Sequence, residues 1–190
     1  MSGNILNCKN RFEFREWLEN NSKFSQECYL ELKRGKPQDD DKFYYLDAVE
    51  EALCFGWIDS TVRNINGTKY QRFSPRRKNG KWSELNKERL RRLIKLGLMT
   101  KEGLKVAPDL DVSKFKMDKK VEASLKKAGV WEIFISFPPL YQRIRSYNIS
   151  FYRNLNNDMY QKSLDHLIEE TKKGKMYGEW NDYGRLLDND

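Results

Sequence analysis

The stretch that decides the fold is Ala52–Ser60, which reads ALCFGWIDS, together with Tyr70–Lys78, which reads YQRFSPRRK. The first run ends a helix at Gly56 and then starts a strand, and Asn66-Gly67 lies between the two strand-like runs. Asn-Gly in this position is the strongest short-range signal for a β-hairpin with a type I′ turn. The sequence therefore predicts that the two runs pair as an antiparallel hairpin.

The turn also predicts which side chains share a face of the hairpin. With Asn66 and Gly67 at its centre, Ile65 faces Thr68, and each step away from the turn on one strand pairs with one step on the other. Side chains alternate between faces along a strand. The face predicted to pack on helices carries Ile58, Ser60, Val62, Gln71, Phe73 and Pro75. The opposite face is predicted to carry Trp57, Asp59, Thr61, Arg63, Tyr70, Arg72, Ser74 and Arg76.

The second face contains the candidate functional site. Opposed and diagonal neighbours on one face lie roughly 5–8 Å apart, which predicts that Asp59 is within reach of Arg72 and Arg76, with Trp57 beside them. A Trp on an otherwise polar face, followed by the cations of Arg76–Lys81, favours ligand binding. The alternative is a solvated hairpin face on which Asp59 and Arg72 form a weak ion pair. The predicted ligand-binding residues are Trp57, Asp59, Arg63, Tyr70, Arg72, Arg76, Arg77, Lys81 and Trp82.

The length and composition of the chain limit which classes of protein it can belong to. A chain of 190 residues is long enough for one domain with a real core, and an aromatic content of 13% argues against disorder. The three cysteines, Cys8, Cys28 and Cys54, form no CxxC pair, so the sequence predicts neither a disulfide framework nor a zinc site. The sequence has no signal-peptide pattern and no apolar run of membrane-spanning length, which predicts a cytoplasmic protein.

The net charge of +8 is distributed unevenly. Residues 61–106 contain fourteen Lys or Arg against three Glu, whereas residues 36–60 contain seven acids against two Lys. A basic block beside an acidic one fits two arrangements: the blocks dock on each other, or the basic block attracts an anionic partner. Charge alone leaves both open.

The remaining patterns predict an α+β fold with a mainly helical C-terminal half. Alternation over Cys28–Lys33 adds a third strand, giving a small antiparallel sheet of about three strands packed against helices. Ser83 is predicted to cap a helix that ends at Gly97, and the pattern is helical from Asp118 onward. The predicted organisation is an α+β core over residues 1–108, a linker over 109–117 and a helical region over 118–190 packed on the core.

The sequence offers little for catalysis. His166, the single histidine, lies within a predicted helix beside Asp165, and Cys54 falls on an apolar stripe. Asp39, Asp40 and Asp41 lack the Gly and the bidentate Glu of a calcium loop. GxGxxG, P-loop and HExxH motifs are all absent from the sequence. We therefore expect no cofactor and no metal, and lean against an enzyme. A nucleic-acid-binding module and an enzyme acting on a phosphorylated or anionic substrate stay open as alternatives.

Four ordered motifs carry a family resemblance. They are Ala48–Ser60, Arg72–Arg76, Lys81–Lys87 and Leu93–Thr100, the last followed by Gly103-Leu104. With these motifs, the chain from roughly residue 17 to residue 108 resembles the YdeI/OmpD-associated family. The resemblance implies a bacterial protein linked to protection against bacteriocins or antimicrobial peptides, without a settled chemistry. The partner is expected to be an anionic ligand, either nucleic acid or a phosphorylated small molecule, or an unidentified protein, and the oligomeric state stays open.

Overall fold

The computed structural model describes residues 4–78, 80–153 and 155–187. Within these ranges it contains eight α-helices and one four-stranded sheet. The α+β class, the hairpin at Asn66-Gly67 and the helical C-terminal half are therefore confirmed. Among the described residues, no helix combines the length and apolar character needed to cross a membrane.

The elements follow one another in a mixed order. The strands are β1 (Asn4–Leu6), β2 (Cys28–Glu31), β3 (Trp57–Ile65) and β4 (Thr68–Pro75). The helices are α1 (Arg11–Asn21), α2 (Tyr45–Cys54), α3 (Glu84–Lys95), α4 (Lys101–Lys105), α5 (Lys119–Lys127), α6 (Trp131–Ser136), α7 (Pro139–Tyr152) and α8 (Asn157–Lys172). Short 3-10 turns cover Val112–Lys114, inside the predicted linker, and Asp182–Gly184.

The sheet has the strand order β1-β2-β4-β3. Strand β1 pairs parallel with β2, and the other two pairings are antiparallel. The sheet thus contains one strand more than the sequence patterns suggested. Three residues are too few to show the alternation by which a strand is recognised, so β1 carried no sequence signal of its own.

The hairpin turn forms as predicted. Asn66 and Gly67 have φ angles of 52° and 86°, both in the left-handed region that a type I′ turn requires. The predicted pairing holds from Ile65 opposite Thr68 as far as Val62 opposite Gln71.

A β-bulge between Asp59 and Val62 then shifts the register by one residue. Beyond the bulge, Asp59 pairs with Phe73 and Trp57 pairs with Pro75. Because one inserted residue moves every following side chain to the other face, the predicted faces are wrong at this end of β3. Trp57 and Asp59 lie on the side of Phe73.

The chain divides into two compact units, and each is described by itself. The first comprises Met1–Lys81 and Arg89–Asp109, and the second comprises Trp82–Glu88 and Leu110–Asp190. In the first unit, α1 packs on the sheet face that carries Phe73, with the Phe14 and Phe73 rings 5.5 Å apart. Helix α4 approaches the end of α2 so closely that a Cβ added at Gly103 would lie 2.2 Å from Cys54 O.

The acidic side chains of α2 are buried against arginines of the first unit. Glu51 accepts hydrogen bonds from Arg11 Nε at 2.8 Å and from Arg15 Nη1 at 2.9 Å. Arg92 Nη1 donates to Glu50 Oε1 at 2.9 Å. Burial of a carboxylate is tolerated only when it is paired, so this network holds α1, α2 and the end of α3 in one arrangement.

The second unit has a core of its own. It is built from the apolar sides of α5 to α8 and from the segment that follows α8. Its buried members are Val121, Leu125, Val130, Phe134, Tyr141, Ile144, Ile149, Tyr160, Leu164, Leu167 and Trp180. The sequence placed the end of the α+β core at residue 108, and the first unit ends at Asp109. The segment Trp82–Glu88, which the sequence placed in the core, groups with the second unit.

Candidate functional site

The sheet face opposite α1 brings three predicted site residues together. Arg63 pairs with Tyr70 across the hairpin, and Arg72 pairs with Tyr29 of β2, so these side chains share one face. We call this face, defined by Tyr29, Arg63, Tyr70 and Arg72, the outer sheet face. Arg63 is exposed, Tyr70 and Arg72 are half-buried, and Tyr29 is 1% exposed. A ligand can therefore reach Arg63 and the uncovered parts of Tyr70 and Arg72 on this face.

Arg72 is held by partners that the sequence did not predict. Its Nε donates to Glu27 Oε2 at 2.6 Å, and its Nη1 donates to Ser60 Oγ at 3.1 Å. Tyr29 Oη donates to the other oxygen of Glu27 at 3.3 Å. The hydrogen bond from Arg72 lowers the pKa of Glu27. The predicted pairing of Arg72 with Asp59 is wrong, because the bulge puts Asp59 on the other face.

Arg63 is the cation of the outer sheet face that could bind a ligand, because Arg72 is already paired with Glu27. Its guanidinium lies 5.2 Å from the centre of the Tyr29 ring, a distance at which a cation is attracted by the ring face. Within the described ranges, no carboxylate forms an ion pair with Arg63. A cation positioned by an aromatic ring keeps its remaining N–H groups free for an anionic ligand.

Trp57 is a core residue. It is 1% exposed, its ring meets the Trp17 ring edge-on at 5.7 Å, and its Nε1 donates to Ser22 O at 3.3 Å. The sequence placed it on the ligand-binding face as a stacking surface. The structure instead buries it under α1, so a ligand on the outer sheet face cannot contact it.

Asp59 belongs to a polar cluster on the α2 side of the sheet. Tyr45 Oη donates to Asp59 Oδ2 at 2.6 Å, and the Arg34 guanidinium lies 3.8 Å from the centre of the Tyr45 ring. Arg34 Nη2 also donates to Gln71 Oε1 at 2.6 Å. The buried Gln71 amide in turn donates to Ser60 O at 3.0 Å and so satisfies a carbonyl of the bulge. This cluster explains why the bulge is stable.

Burial and the Asp59 carboxylate together raise the pKa of Tyr45 to about 12. The folded state therefore binds the phenol proton more tightly than the unfolded chain, whose tyrosines titrate near pH 10. The resulting stabilisation is fully present below about pH 10 and is lost as the pH rises to about 12. We expect the wild type to lose about 2 kcal/mol more than Tyr45→Phe across this window, measured by urea unfolding. Identical alkaline profiles of the two proteins would contradict the raised pKa.

The loop after β4 carries the other predicted cations. Arg76 is half-buried, and its Nη1 donates to Lys81 O at 3.4 Å, which closes the loop. The side chains of Arg77, Lys78 and Lys81 are exposed. Trp82, the last predicted site residue, belongs to the second unit and is half-buried there. The loop therefore adds three solvent-facing cations to the first unit.

Neither Cys8 nor Cys54 has the features of an activated nucleophile. Burial raises the pKa of Cys54 to about 12 and that of Cys8 to about 11, so both thiols are protonated and weakly nucleophilic at neutral pH. His166 is exposed, and its ring lies 4.4 Å from the Tyr177 ring. Within residues 4–78, 80–153 and 155–187, no group of three or more potential ligands could hold a metal ion.

Sequence reasoning missed Glu27, Tyr29, Arg34 and Tyr45. Glu27 comes just before β2 and Tyr29 lies within it. The neighbour of β2 in the sheet, β4, is not adjacent in sequence, so the proximity of both residues to Arg72 depends on the strand order. The sequence did contain a feature that could have indicated the bulge. Trp57 is a large apolar residue at a position on the face predicted to be polar. An apolar residue in that place indicates a register change as readily as a ligand site.

Fold and site together define an α+β protein with a mixed sheet whose outer face is polar, aromatic and basic. The family model described as "Domain of unknown function (DUF8412)" matches residues 6–106, more than half of the chain. The protein belongs to this family. A search of curated proteins and a search of solved structures found no match.

Proposed function

We propose that this protein binds a ligand that carries phosphate groups, through a basic strip on its first unit. The strip is defined by Arg63 on the outer sheet face and by Arg77, Lys78 and Lys81 in the loop after β4. The observation that supports it is that all four side chains are exposed and none is ion-paired within the described ranges. Paired surface cations are neutralised, whereas unpaired cations attract anions over long distances.

The charge balance of the first unit favours the same proposal. Met1–Lys81 and Arg89–Asp109 together hold +7 of the net charge of +8. The acids that could cancel the strip are engaged elsewhere: Glu27 binds Arg72, and Glu50 and Glu51 bind arginines of α1 and α3. Within the acidic block, Glu50 and Glu51 therefore pair with arginines outside the strip, and Asp40 pairs with Lys33.

Single-stranded nucleic acid is the ligand class that suits the strip best. Such ligands bind where cations follow the backbone and aromatic rings stack against bases. The half-buried Tyr70 ring lies on the outer sheet face beside Arg63 and supplies such a surface. Phosphate charges would then contact Arg63 and the loop cations. A phosphorylated small molecule bound by the same cations is the second candidate.

The cellular role proposed from the YdeI/OmpD resemblance is protection against bacteriocins or antimicrobial peptides. Antimicrobial peptides are typically cationic, so a basic strip would repel them. Protection would then act through an anionic partner rather than by direct capture of the peptide.

The test is fluorescence anisotropy with labelled single-stranded DNA, single-stranded RNA and duplex DNA, each about 20 nucleotides long, at low and high salt. We expect the single strands to bind most tightly to the wild type, with an affinity that falls steeply with salt. The triple variant Arg77→Ala/Lys78→Ala/Lys81→Ala should bind more weakly, and its log–log salt slope should be smaller by about 2, because each lost phosphate contact removes about 0.7.

The control replaces the same number of exposed cations in the second unit, Lys119→Ala/Lys162→Ala/Lys172→Ala. It should bind like the wild type. Equal losses in both triple variants would indicate attraction by net charge alone and contradict the strip. If no nucleic acid binds, a thermal shift with ATP or inorganic phosphate that the first triple variant loses would identify a small phosphorylated ligand. Absence of both effects would contradict the proposal.

A further inference from the structure

A groove of about 570 Å³ lies between α5 and α8 in the second unit. The α5 side of the groove is formed by Lys120, Ala123, Ser124, Lys127 and Ala128. These positions follow the i, i+3, i+4, i+7, i+8 spacing of one helical stripe. The groove therefore runs along α5 rather than across it.

Small side chains line the middle of the α5 stripe. Ala123 and Ala128 present methyl groups, and Ser124 donates its hydroxyl to Lys120 O at 2.8 Å, so it has no unmet donor. On the α8 side, Leu164 and the half-buried Ile168 supply branched apolar surface. The small residues of α5 would allow another helix to approach closely, and the branched side chains of α8 would give that helix an apolar surface to pack on.

The rim of the groove is basic. Lys120 and Lys127 are exposed at its edge, and neither forms an ion pair within residues 4–78, 80–153 and 155–187. They are seven residues apart, so they lie roughly 10 Å apart along the helix axis.

Acidic side chains of α5, its N-cap and α8 have partners other than the rim lysines. Glu122 accepts from Lys126 at 2.6 Å, and Asp165 accepts from Gln161 at 2.9 Å. Asp118 binds the Arg153 guanidinium. The cations of the rim are therefore left to interact with groups outside the unit.

We propose that this groove binds an amphipathic helix of a partner protein, with acidic residues seven positions apart that pair with Lys120 and Lys127. Helix-in-groove recognition uses apolar anchors at i, i+3, i+4 and i+7 from the bound helix, and the groove repeats that spacing. Leu or Ile anchors would pack on Leu164 and Ile168, and the two acids flanking them would complete the charge complementarity. The proposal concerns the second unit and does not depend on ligand binding by the basic strip.

The test uses three labelled synthetic peptides of about 18 residues, which is five helical turns. One is an amphipathic helix of Leu, Ala and Glu with Glu residues seven positions apart, one is a scrambled peptide of the same composition, and one has Lys in place of Glu. By anisotropy, we expect only the first to bind the wild type. Lys120→Glu/Lys127→Glu should weaken its affinity by about ten- to thirtyfold, because two favourable charge pairs become repulsive.

The matched control is Lys119→Glu/Lys162→Glu, which makes the same charge change on α5 and α8 outside the groove lining. It should keep the affinity of the wild type. A further variant, Ala123→Trp, fills the groove from an exposed position and should abolish binding while the charge stays unchanged. Failure of the first peptide to bind, equal binding of the scrambled peptide, or equal losses in the two charge variants would each overturn the proposal.

Discussion

Replacement of Glu51 by alanine is expected to lower the free energy of unfolding by about 2–3 kcal/mol. The Glu51 side chain is 4% exposed and binds two arginines of α1, Arg11 and Arg15. Removing it takes one carboxylate from both guanidinium groups, which keep the contacts of Arg11 with Asp47 and Glu50 and of Arg15 with Glu19. Losing a partner that is buried costs more than losing an exposed ion pair. Urea unfolding followed by circular dichroism measures the change.

The control is Glu19→Ala. Glu19 also pairs with Arg15, at 3.4 Å, but its side chain is 56% exposed. We expect this variant to lose no more than about 0.5 kcal/mol, because exposed pairs are screened by solvent. Similar losses in the two variants would show that the buried network contributes no more than a surface pair does.

Replacement of Trp57 by alanine is expected to cost about 3–5 kcal/mol of stability and to leave the affinity for single-stranded DNA unchanged. The reason is that Trp57 packs against Trp17 inside the first unit and does not reach the outer sheet face. Stability is measured by urea unfolding, and affinity by anisotropy at a temperature where the variant remains folded.

Phe12→Ala serves as the aromatic control, since Phe12 is 76% exposed. It should change the stability by less than about 0.5 kcal/mol. The prediction for Trp57 would be contradicted by the reverse pattern, in which Trp57→Ala stays stable but loses DNA binding, because that pattern would return Trp57 to the ligand-binding surface.

Much of the fold followed from local signals in the sequence. Asn66-Gly67 predicted the turn and the adjacent pairing, because the left-handed conformations it favours are a property of two residues alone. Ser83 was predicted to cap α3, and its Oγ accepts from Asn86 N–H at 3.2 Å. Helix periodicity likewise predicted the C-terminal helices, since an apolar stripe is visible within one segment.

The candidate site was less predictable because it depends on non-local pairing. The bulge between Asp59 and Val62 contains no glycine, and its stability comes from the Gln71 amide on the neighbouring strand. That contact decides which side chains join Arg72 on the outer face. The burial of Glu51 depends similarly on arginines of α1, about forty positions earlier in the chain. Neither partnership has a signature within a single element.

The bulge has a further consequence for the behaviour of the molecule at high concentration. Strand β3 is the last strand of the sheet, and its residues 60–64 are exposed at that edge. A long, regular edge can pair with the edge of another molecule and start aggregation. The bulge interrupts the regular spacing of the edge, and the exposed charge of Arg63 follows directly after it. We therefore expect the same irregularity that moves Trp57 into the core to disfavour edge-to-edge self-association.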